Sequence, residues 1–231
     1  MSTFVRTVAA IGFLFGLQGH TMAQSNGNSN TSPFSLAKVH LEQNATDGDY
    51  EVVLEVNSGG EGLEKLTVLS PDGRKVVDYT ATGKPTLGMR HFHLETPEPN
   101  DIKLLRSGYP EGVYTLTGQA PSGLKLSGKV TLTHKLPPAT TLLTPKPDAE
   151  NVPLKNLKIT WAPVKGVANF VVYIEQPDVN FELTVRLPGS ATSFAVPEGL
   201  LMPGTAYSLG IGTVSKEGNT SFIETTFATG K

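Results

Sequence analysis

The residues best placed to do chemistry are two histidines in a short alternating segment, Met89-Arg-His-Phe-His-Leu-Glu95. Residues two apart in a β-strand share a face, with Cα atoms about 7 Å apart. His91 and His93 could therefore chelate one ion while Phe92 and Leu94 face a core. Two imidazoles with a thioether suit copper, and two imidazoles with a carboxylate suit zinc.

One strand cannot complete such a metal site. A structural zinc usually takes four protein ligands, and the Cα of Glu95 would lie about 13 Å from that of His91. His40 or His134 could complete the shell only from a neighbouring strand. Alternation alone also places polar groups on an outer strand face. We therefore predict no metal site at His91 and His93, and we keep a periplasmic copper or zinc carrier as the alternative function.

Two oxygen-rich loops raise the question of calcium. Asp47-Gly-Asp49 and Glu98-Pro-Asn-Asp101 offer carboxylates, but neither has the spacing of a complete calcium loop, which supplies six to eight oxygens. We expect solvated turns, with calcium as the alternative.

Enzymatic chemistry finds no support in the remaining sequence. The chain has no cysteine, no Gly-x-Ser-x-Gly nucleophile motif and no glycine-rich phosphate loop opening a helix. We predict no catalytic residues and no cofactor. With 19 Lys and Arg against 21 Asp and Glu, the net charge is -2, so the clustered positive charge that nucleic acid requires is missing.

The first 23 residues are typical of a secretory signal peptide. Arg6 precedes an apolar run from Val8 to Leu17, and Thr21-Met-Ala23 places small residues at minus three and minus one. The run is about half as long as a membrane-spanning helix, so we expect cleavage after Ala23 and no stable membrane insertion. Residues 24–33 are predicted to be a disordered leader. Export without disulfides points to a bacterium and to a periplasmic or extracellular location.

The rest of the chain shows the short, alternating segments of an all-β protein. In residues 34–135 they recur about every ten residues, which favours a β-sandwich over strand-helix-strand units. Tyr50–Val56 places Val52, Leu54 and Val56 on one face and glutamates on the other. Pro71-Asp-Gly-Arg74 predicts a hairpin turn between two such segments.

Prolines at 137 and 138 interrupt the pattern, and we place the domain boundary between residues 135 and 136. The second block, residues 136–231, contains seven predicted strands, beginning near Thr140–Leu143. Trp161 shares the inward parity of Leu157 and Ile159 and is predicted to be core. Aromatic residues are few, and most of them, including Phe222, fall on inward parities, whereas Tyr173 and Phe181 could face outward. That leaves a weak platform for a sugar.

The second block resembles a fibronectin type III domain. The resemblance is carried by Leu157-Lys-Ile-Thr-Trp161 and by Leu201-Met-Pro-Gly-Thr-Ala-Tyr207, which is similar to the family's L-x-P-x-T-x-Y motif. It implies that the Tyr207 hydroxyl bonds to backbone near residues 201–204 in a tyrosine corner. The run Pro110-Glu-Gly-Val-Tyr-Thr-Leu-Thr117 in the first block resembles bacterial immunoglobulin-like modules and implies a fold only.

The sequence therefore predicts two tandem β-sandwiches, immunoglobulin-like and then fibronectin type III-like, behind a signal peptide. The expected function is that of a non-catalytic exported module, which binds a protein or a cell-surface polymer or acts as a structural spacer. Neither resemblance transfers an activity, because function lies in sites rather than in folds.

Overall fold

The computed structural model describes residues 31–83 and 85–231, so the predicted signal peptide lies outside the described residues. The described chain is all-β apart from one short α-helix and a single 3-10 turn. The first half contains β1 (Thr31–Pro33), β2 (Leu36–Asn44), β3 (Asp49–Asn57), β4 (Lys65–Leu69), β5 (Lys75–Thr80), β6 (His91–Glu95), α1 (Ile102–Gly108), β7 (Gly112–Gln119) and β8 (Lys125–Leu132). The second half contains β9 (Leu142–Thr144), β10 (Ala149–Val152), β11 (Lys158–Trp161), β12 (Asn169–Gln176), β13 (Phe181–Pro188), β14 (Ser193–Ala195), β15 (Ala206–Val214) and β16 (Thr220–Thr229), with the 3-10 turn at Pro177–Val179.

The first half is a sandwich of two sheets. One sheet has the order β1-β8-β7-β4-β5, and β2, β3 and β6 form the opposite layer. The two layers bury one apolar core, to which β3 contributes Val52, Leu54 and Val56 as the alternation predicts. The predicted turn at residues 71–74 joins β4 and β5, which pair antiparallel, and Gly73 adopts the positive φ of 83° that such a turn requires.

Two features of this half differ from the sequence-based expectation. Thr31–Pro33, placed in the disordered leader, forms β1 and pairs in parallel with β8. The helix α1 was also missed: Asp101 caps it by accepting a hydrogen bond from the Lys103 amide at 2.9 Å. Only Leu105 of this seven-residue helix is buried, so the sequence carries no apolar stripe that would reveal it.

The second half is also a two-sheet sandwich. The three-stranded sheet β14-β11-β9 faces the strands β13-β12-β15-β16, and β10 adds to β16. All seven predicted strands are present, and β10 is the additional one. Trp161 lies in the core at 1% exposure, where it contacts Phe170 with ring centroids 5.4 Å apart. Its indole N–H donates to the Ala191 carbonyl at 3.0 Å, which satisfies the polar atom of a buried ring.

The two sandwiches share one sheet. β16 of the second half pairs in parallel with β2 of the first, so that β13-β12-β15-β16-β2-β3-β6 run side by side and, with β10, make an eight-stranded sheet. Each half still has its own apolar core on the inner face of its strands.

Candidate functional site at the junction of the two halves

The pairing between β16 and β2 is short but regular. Thr220, Ser221 and Phe222 lie opposite Glu42, Gln43 and Asn44. Beyond the paired residues, the Ala45 amide donates to the Phe222 carbonyl at 2.8 Å. Main-chain hydrogen bonds therefore hold the two halves in register.

Asn219 clamps the start of this pairing. Its Oδ1 accepts from the Leu41 amide at 2.9 Å, while its Nδ2 lies 2.9 Å from both the carbonyl and the hydroxyl of Thr133 and 3.1 Å from the Lys135 carbonyl. The residue is 1% exposed. The side-chain amide of Asn219, which directly precedes β16, thus bonds both to β2 and to the segment that follows β8. Its Oδ1 serves the Leu41 amide as a neighbouring strand's carbonyl would.

The prolines at the predicted boundary are also fixed by hydrogen bonds to their carbonyl groups. The Ser221 hydroxyl donates to the Pro137 carbonyl at 2.8 Å, and the Thr213 hydroxyl donates to the Pro138 carbonyl at 2.8 Å. Proline fixes φ, and these bonds fix the carbonyls that follow. The connection is therefore tied to β15 and β16.

A carboxylate closes the other end of the pairing. The Glu224 carboxylate accepts hydrogen bonds from the Tyr173 hydroxyl and from Asn44 Nδ2, the latter at 3.0 Å. The Glu224 backbone N–H donates to the Thr46 hydroxyl oxygen at 2.8 Å. Gly210 allows the Tyr173 ring to lie in this position, because any Cβ at residue 210 would collide with that ring. Burial raises the pKa of Glu224 to about 7, the Asn44 bond opposes the shift, and Asp47 adds to it.

A third apolar cluster covers the outer face of the second half next to this pairing. It consists of Val171, Tyr173, Val214 and Phe222. Phe222, predicted to point into the core, belongs to this outer cluster, where its ring lies over Gly212 and contacts the Tyr173 ring edge-on at 5.8 Å. Phe181, predicted to face outward, instead packs partly buried against the second core.

The outer face of β2, β3 and β6 carries a ladder of polar side chains that is also covered. Lys38, Glu55 and His93 lie opposite one another across the three strands, and Lys38 Nζ is 3.3 Å from Glu55 Oε2. In the next rung, His40 bonds its own-strand neighbour Glu42 at 2.7 Å. His40 and Glu55 are each 1% exposed, whereas alternation predicts that this face meets water.

The second half contributes to this covering. Arg186 of β13 interacts electrostatically with Glu55 and Glu42, and a Cβ on Gly218 would lie 3.3 Å from Lys38 Cε. Burial lowers the pKa of Lys38, with Glu55 opposing the shift. Burial, reinforced by Glu42, raises the pKa of Glu51 to about 8. Sequence reasoning missed this ladder because alternation shows which residues share a face, not what covers that face.

The two predicted histidines lie at the outer edge of this ladder. His91 and His93 are on β6 and share a face; His91 is exposed, and His93 Nε2 bonds Glu95 Oε1 at 2.6 Å. His93 Nδ1 is 3.9 Å from Glu55 Oε1, too far for a hydrogen bond. His40 stands in a different rung, and His134 Nε2 contacts the Tyr109 carbonyl at 2.8 Å. Within residues 31–83 and 85–231, no three acidic or histidine side chains are grouped to hold a metal, so the carrier alternative gains no support.

The two oxygen-rich loops meet at one end of the shared sheet. The Tyr50 amide donates to the Pro99 carbonyl at 3.2 Å, and Asn100 Nδ2 donates to the Asp47 carbonyl at 3.4 Å. Burial, together with Asp47, raises the pKa of Asp49. The hydrogen bonds from the Tyr50 amide and the Asn100 side chain fix the two loops to each other.

The tyrosine corner predicted for the second half is present in the structure. The Met202 amide donates to the Tyr207 hydroxyl at 2.8 Å, within the 201–204 turn. Tyr207 is buried and stacks on Phe227 at 5.6 Å. The second half therefore has the two-sheet β-sandwich and the tyrosine corner that its resemblance to fibronectin type III domains implies.

The first half has a comparable bond. The buried Tyr114 hydroxyl donates to the Pro110 carbonyl at 3.0 Å, four residues upstream, in the segment whose sequence resembles immunoglobulin-like modules. The two halves thus each contain a buried tyrosine whose hydroxyl is hydrogen-bonded to nearby backbone.

Similar solved structures include fibronectin modules. The fibronectin(III)-like modules of Clostridium thermocellum CbhA are 10% identical over 85% of this chain and 91% of theirs, with a TM-score of 0.34. A two-domain fibronectin type III segment of chicken tenascin is 16% identical over 86% and 100%, with a TM-score of 0.31. The BSP domain of a biofilm associated protein is 21% identical over 88% and 31%, with a TM-score of 0.30.

Sequence comparisons add no relative. No family model matches the chain, and no characterised protein matches it in sequence. The resemblance of the second half to fibronectin type III domains therefore rests on its own sheets and motifs. No helix among the described residues is both long and apolar enough to cross a membrane.

Proposed function

We propose that this protein is a non-catalytic, exported module of two β-sandwiches, immunoglobulin-like and then fibronectin type III-like, that acts as one stiff unit in binding a protein or a cell-surface polymer. The observation that carries the proposal is the shared sheet with its Asn219 clamp. Domains joined by a flexible linker reorient freely, whereas here main-chain pairing and a buried amide span the boundary near residue 135.

The polar side chains of the molecule favour a structural role for the junction. Glu55, His40 and Glu42 are buried and Lys38 is half-buried, and they bond in pairs, Lys38 to Glu55 and His40 to Glu42. Groups that pair internally in this way stabilise a particular arrangement of strands. Catalysis would instead need such groups to converge on a cleft that a substrate can enter.

Export is the second part of the proposal. Residues 1–23 supply the signal peptide and are removed after Ala23, and a bacterial periplasm or cell exterior suits a chain without cysteine. The intact mass of the exported protein tests this step. A soluble exported species that retains residues 1–23 would contradict it.

Stiffness is tested by distance measurements between spin labels. Because the chain has no cysteine, Lys129→Cys and Lys158→Cys place one label on an exposed strand position in each half. We expect one narrow distance distribution, and a broader one when Asn219→Ala is added. A broad distribution in the parent pair would contradict the stiff unit.

The binding role is tested by affinity capture from the bacterial envelope. The mature chain is immobilised, and a Trp161→Ala chain, in which the second core is disrupted, serves as the matched control. We expect a protein or polymer that is retained by the parent chain and lost with the control. Equal retention by both chains would count against a specific binding surface.

A further inference from the structure

β13 is an unusually regular sheet edge. Among the described residues it forms one border of the eight-stranded sheet, and its eight residues pair with β12 without a register shift. The border strands β5 and β6 have six and five residues, and a register irregularity interrupts the pairing of β5 with β4. A long, flat edge presents unpaired backbone groups that can accept another strand.

The direction of those backbone groups follows from the pairing. The Gly189 amide donates to the Ala168 carbonyl, and in antiparallel pairs the hydrogen-bonded positions alternate with the others. The residues opposite Glu175, Tyr173 and Val171 are therefore the ones whose N–H and C=O groups point away from β12. These residues are Glu182, Thr184 and Arg186, and all three are exposed.

The side chains of these three residues are complementary to those of a second β13 strand that runs antiparallel to the first. Glu182 and Arg186 lie symmetrically on either side of Thr184. If a second β13 ran antiparallel about Thr184, each Glu182 would face an Arg186 and the two threonines would face each other. On the inner face the same register sets Phe181 against Leu187 and Leu183 against Val185, all partly buried in the single chain.

The single chain also leaves Glu182 in an unfavourable place. It lies directly opposite Glu175, a like charge, and the Glu182 carboxylate adds to the effect of burial in raising the pKa of Glu175. Arg186 already bonds Asn169 Oδ1 at 3.0 Å through Nη1 and interacts electrostatically with Glu55 and Glu42. A guanidinium has five donors, so it can serve a further acceptor as well. A cation from another chain would offset the repulsion between the two glutamates.

We propose that two copies of this chain associate through antiparallel pairing of their β13 strands, centred on Thr184 and fixed by two Glu182–Arg186 ion pairs. The result is a two-fold symmetric dimer with one continuous sheet. Because an edge contact buries little surface, the association is weak, with Kd on the order of 100 μM.

Sedimentation velocity across a concentration series tests the proposal. Wild type should shift from monomer to dimer, and added salt should weaken the shift. Thr184→Pro removes an outward N–H that the domain itself does not use, so it should fold and stay monomeric. Thr184→Val keeps that N–H and should associate like wild type.

Charge exchange tests the register. Glu182→Arg sets arginine against Arg186 and should weaken association at least about tenfold, whereas Glu182→Arg combined with Arg186→Glu should restore it. Lys158→Glu, on the other sheet of the domain, should change nothing. If the exchange variant does not fold, crosslinking replaces it: Thr184→Cys, the only thiol, should crosslink with a short bismaleimide, whereas Thr226→Cys on β16 should not.

The proposal is overturned by a wild type that stays monomeric up to about ten times the expected Kd, or by a Thr184→Pro chain that associates like wild type. It is also overturned if capture from the envelope shows a peptide of another protein on β13 while the chain itself does not self-associate.

Discussion

Replacing Asn219 with alanine should uncouple the two halves of the molecule. The change removes the acceptor of the Leu41 amide, which is buried, and the donors to the backbone of Thr133 and Lys135. A buried donor left without a partner costs about 1–3 kcal/mol, and each of the two remaining bonds contributes about 1 kcal/mol. We therefore expect a loss of about 3–5 kcal/mol.

The single tryptophan makes the assay specific. Trp161 lies in the core of the second half and reports on that half alone, whereas far-UV circular dichroism reports on all strands. In wild type the two urea transitions should coincide, since the shared sheet couples the halves. In Asn219→Ala they should separate, and thermal unfolding should begin about 10 °C lower.

Two further variants test whether the loss in Asn219→Ala comes from its hydrogen bonds. Asn219→Asp keeps the shape and the acceptor but turns an oxygen toward the Lys135 carbonyl, so it should be at least as destabilising as alanine. Asn100→Ala, at an exposed position with one bond of 3.4 Å, should change stability by less than about 0.5 kcal/mol. If Asn219→Ala unfolds like wild type, with coincident transitions, the junction does not couple the halves.

Four other outcomes follow from the structure. Trp161→Ala should cost about 3–5 kcal/mol in denaturant unfolding, as large core truncations do; a change below about 1 kcal/mol would contradict the core assignment. Tyr207→Phe leaves the Met202 amide unsatisfied and should cost about 1–3 kcal/mol, whereas an unchanged melting curve would argue against the corner. Burial raises the pKa of Glu224 from 4.5 to about 7, so the stability that its protonated form contributes is complete below pH 4.5 and is lost as pH rises through about 7. Glu224→Gln should therefore reduce the fall in stability between roughly pH 5 and pH 8. An unaltered pH profile would refute this assignment. Titration with copper and zinc should reveal no sub-micromolar site that His91→Ala abolishes, and finding one would revive the carrier function.

The local alternation of apolar and polar residues was sufficient to predict the buried residues wherever a strand faces the core of its own half. The parity of Leu157, Ile159 and Trp161 predicts a buried face, and the structure confirms it. The tyrosine corner was predictable because its partners lie within five residues of one another in sequence. In both cases the information that decides the structure is local.

The junction could not be predicted in the same way. The clamp at Asn219 joins residues 178 positions apart, and nothing near Asn219 in sequence identifies Leu41 as its partner. The burial of Glu55 likewise depends on the second half covering the outer face of β3. The one local signal is the Gly210-Ile-Gly212 segment of β15, where two glycines leave room for the rings of Tyr173 and Phe222 to lie flat across the strands.

The covering of the outer face determines where a partner can bind. The cores occupy the inner faces of the shared sheet, and Tyr173, Phe222, His40 and Glu55 show that much of its outer face is also buried. A ligand cannot lie flat on those strands without separating the halves. On the shared sheet, accessible surface is therefore found at border strands such as β13, and the loops add exposed positions such as Leu87, which is 79% exposed. Such surfaces recognise partners mainly through backbone pairing and through side chains at loop ends, and a stiff junction keeps the borders of both halves in one fixed geometry.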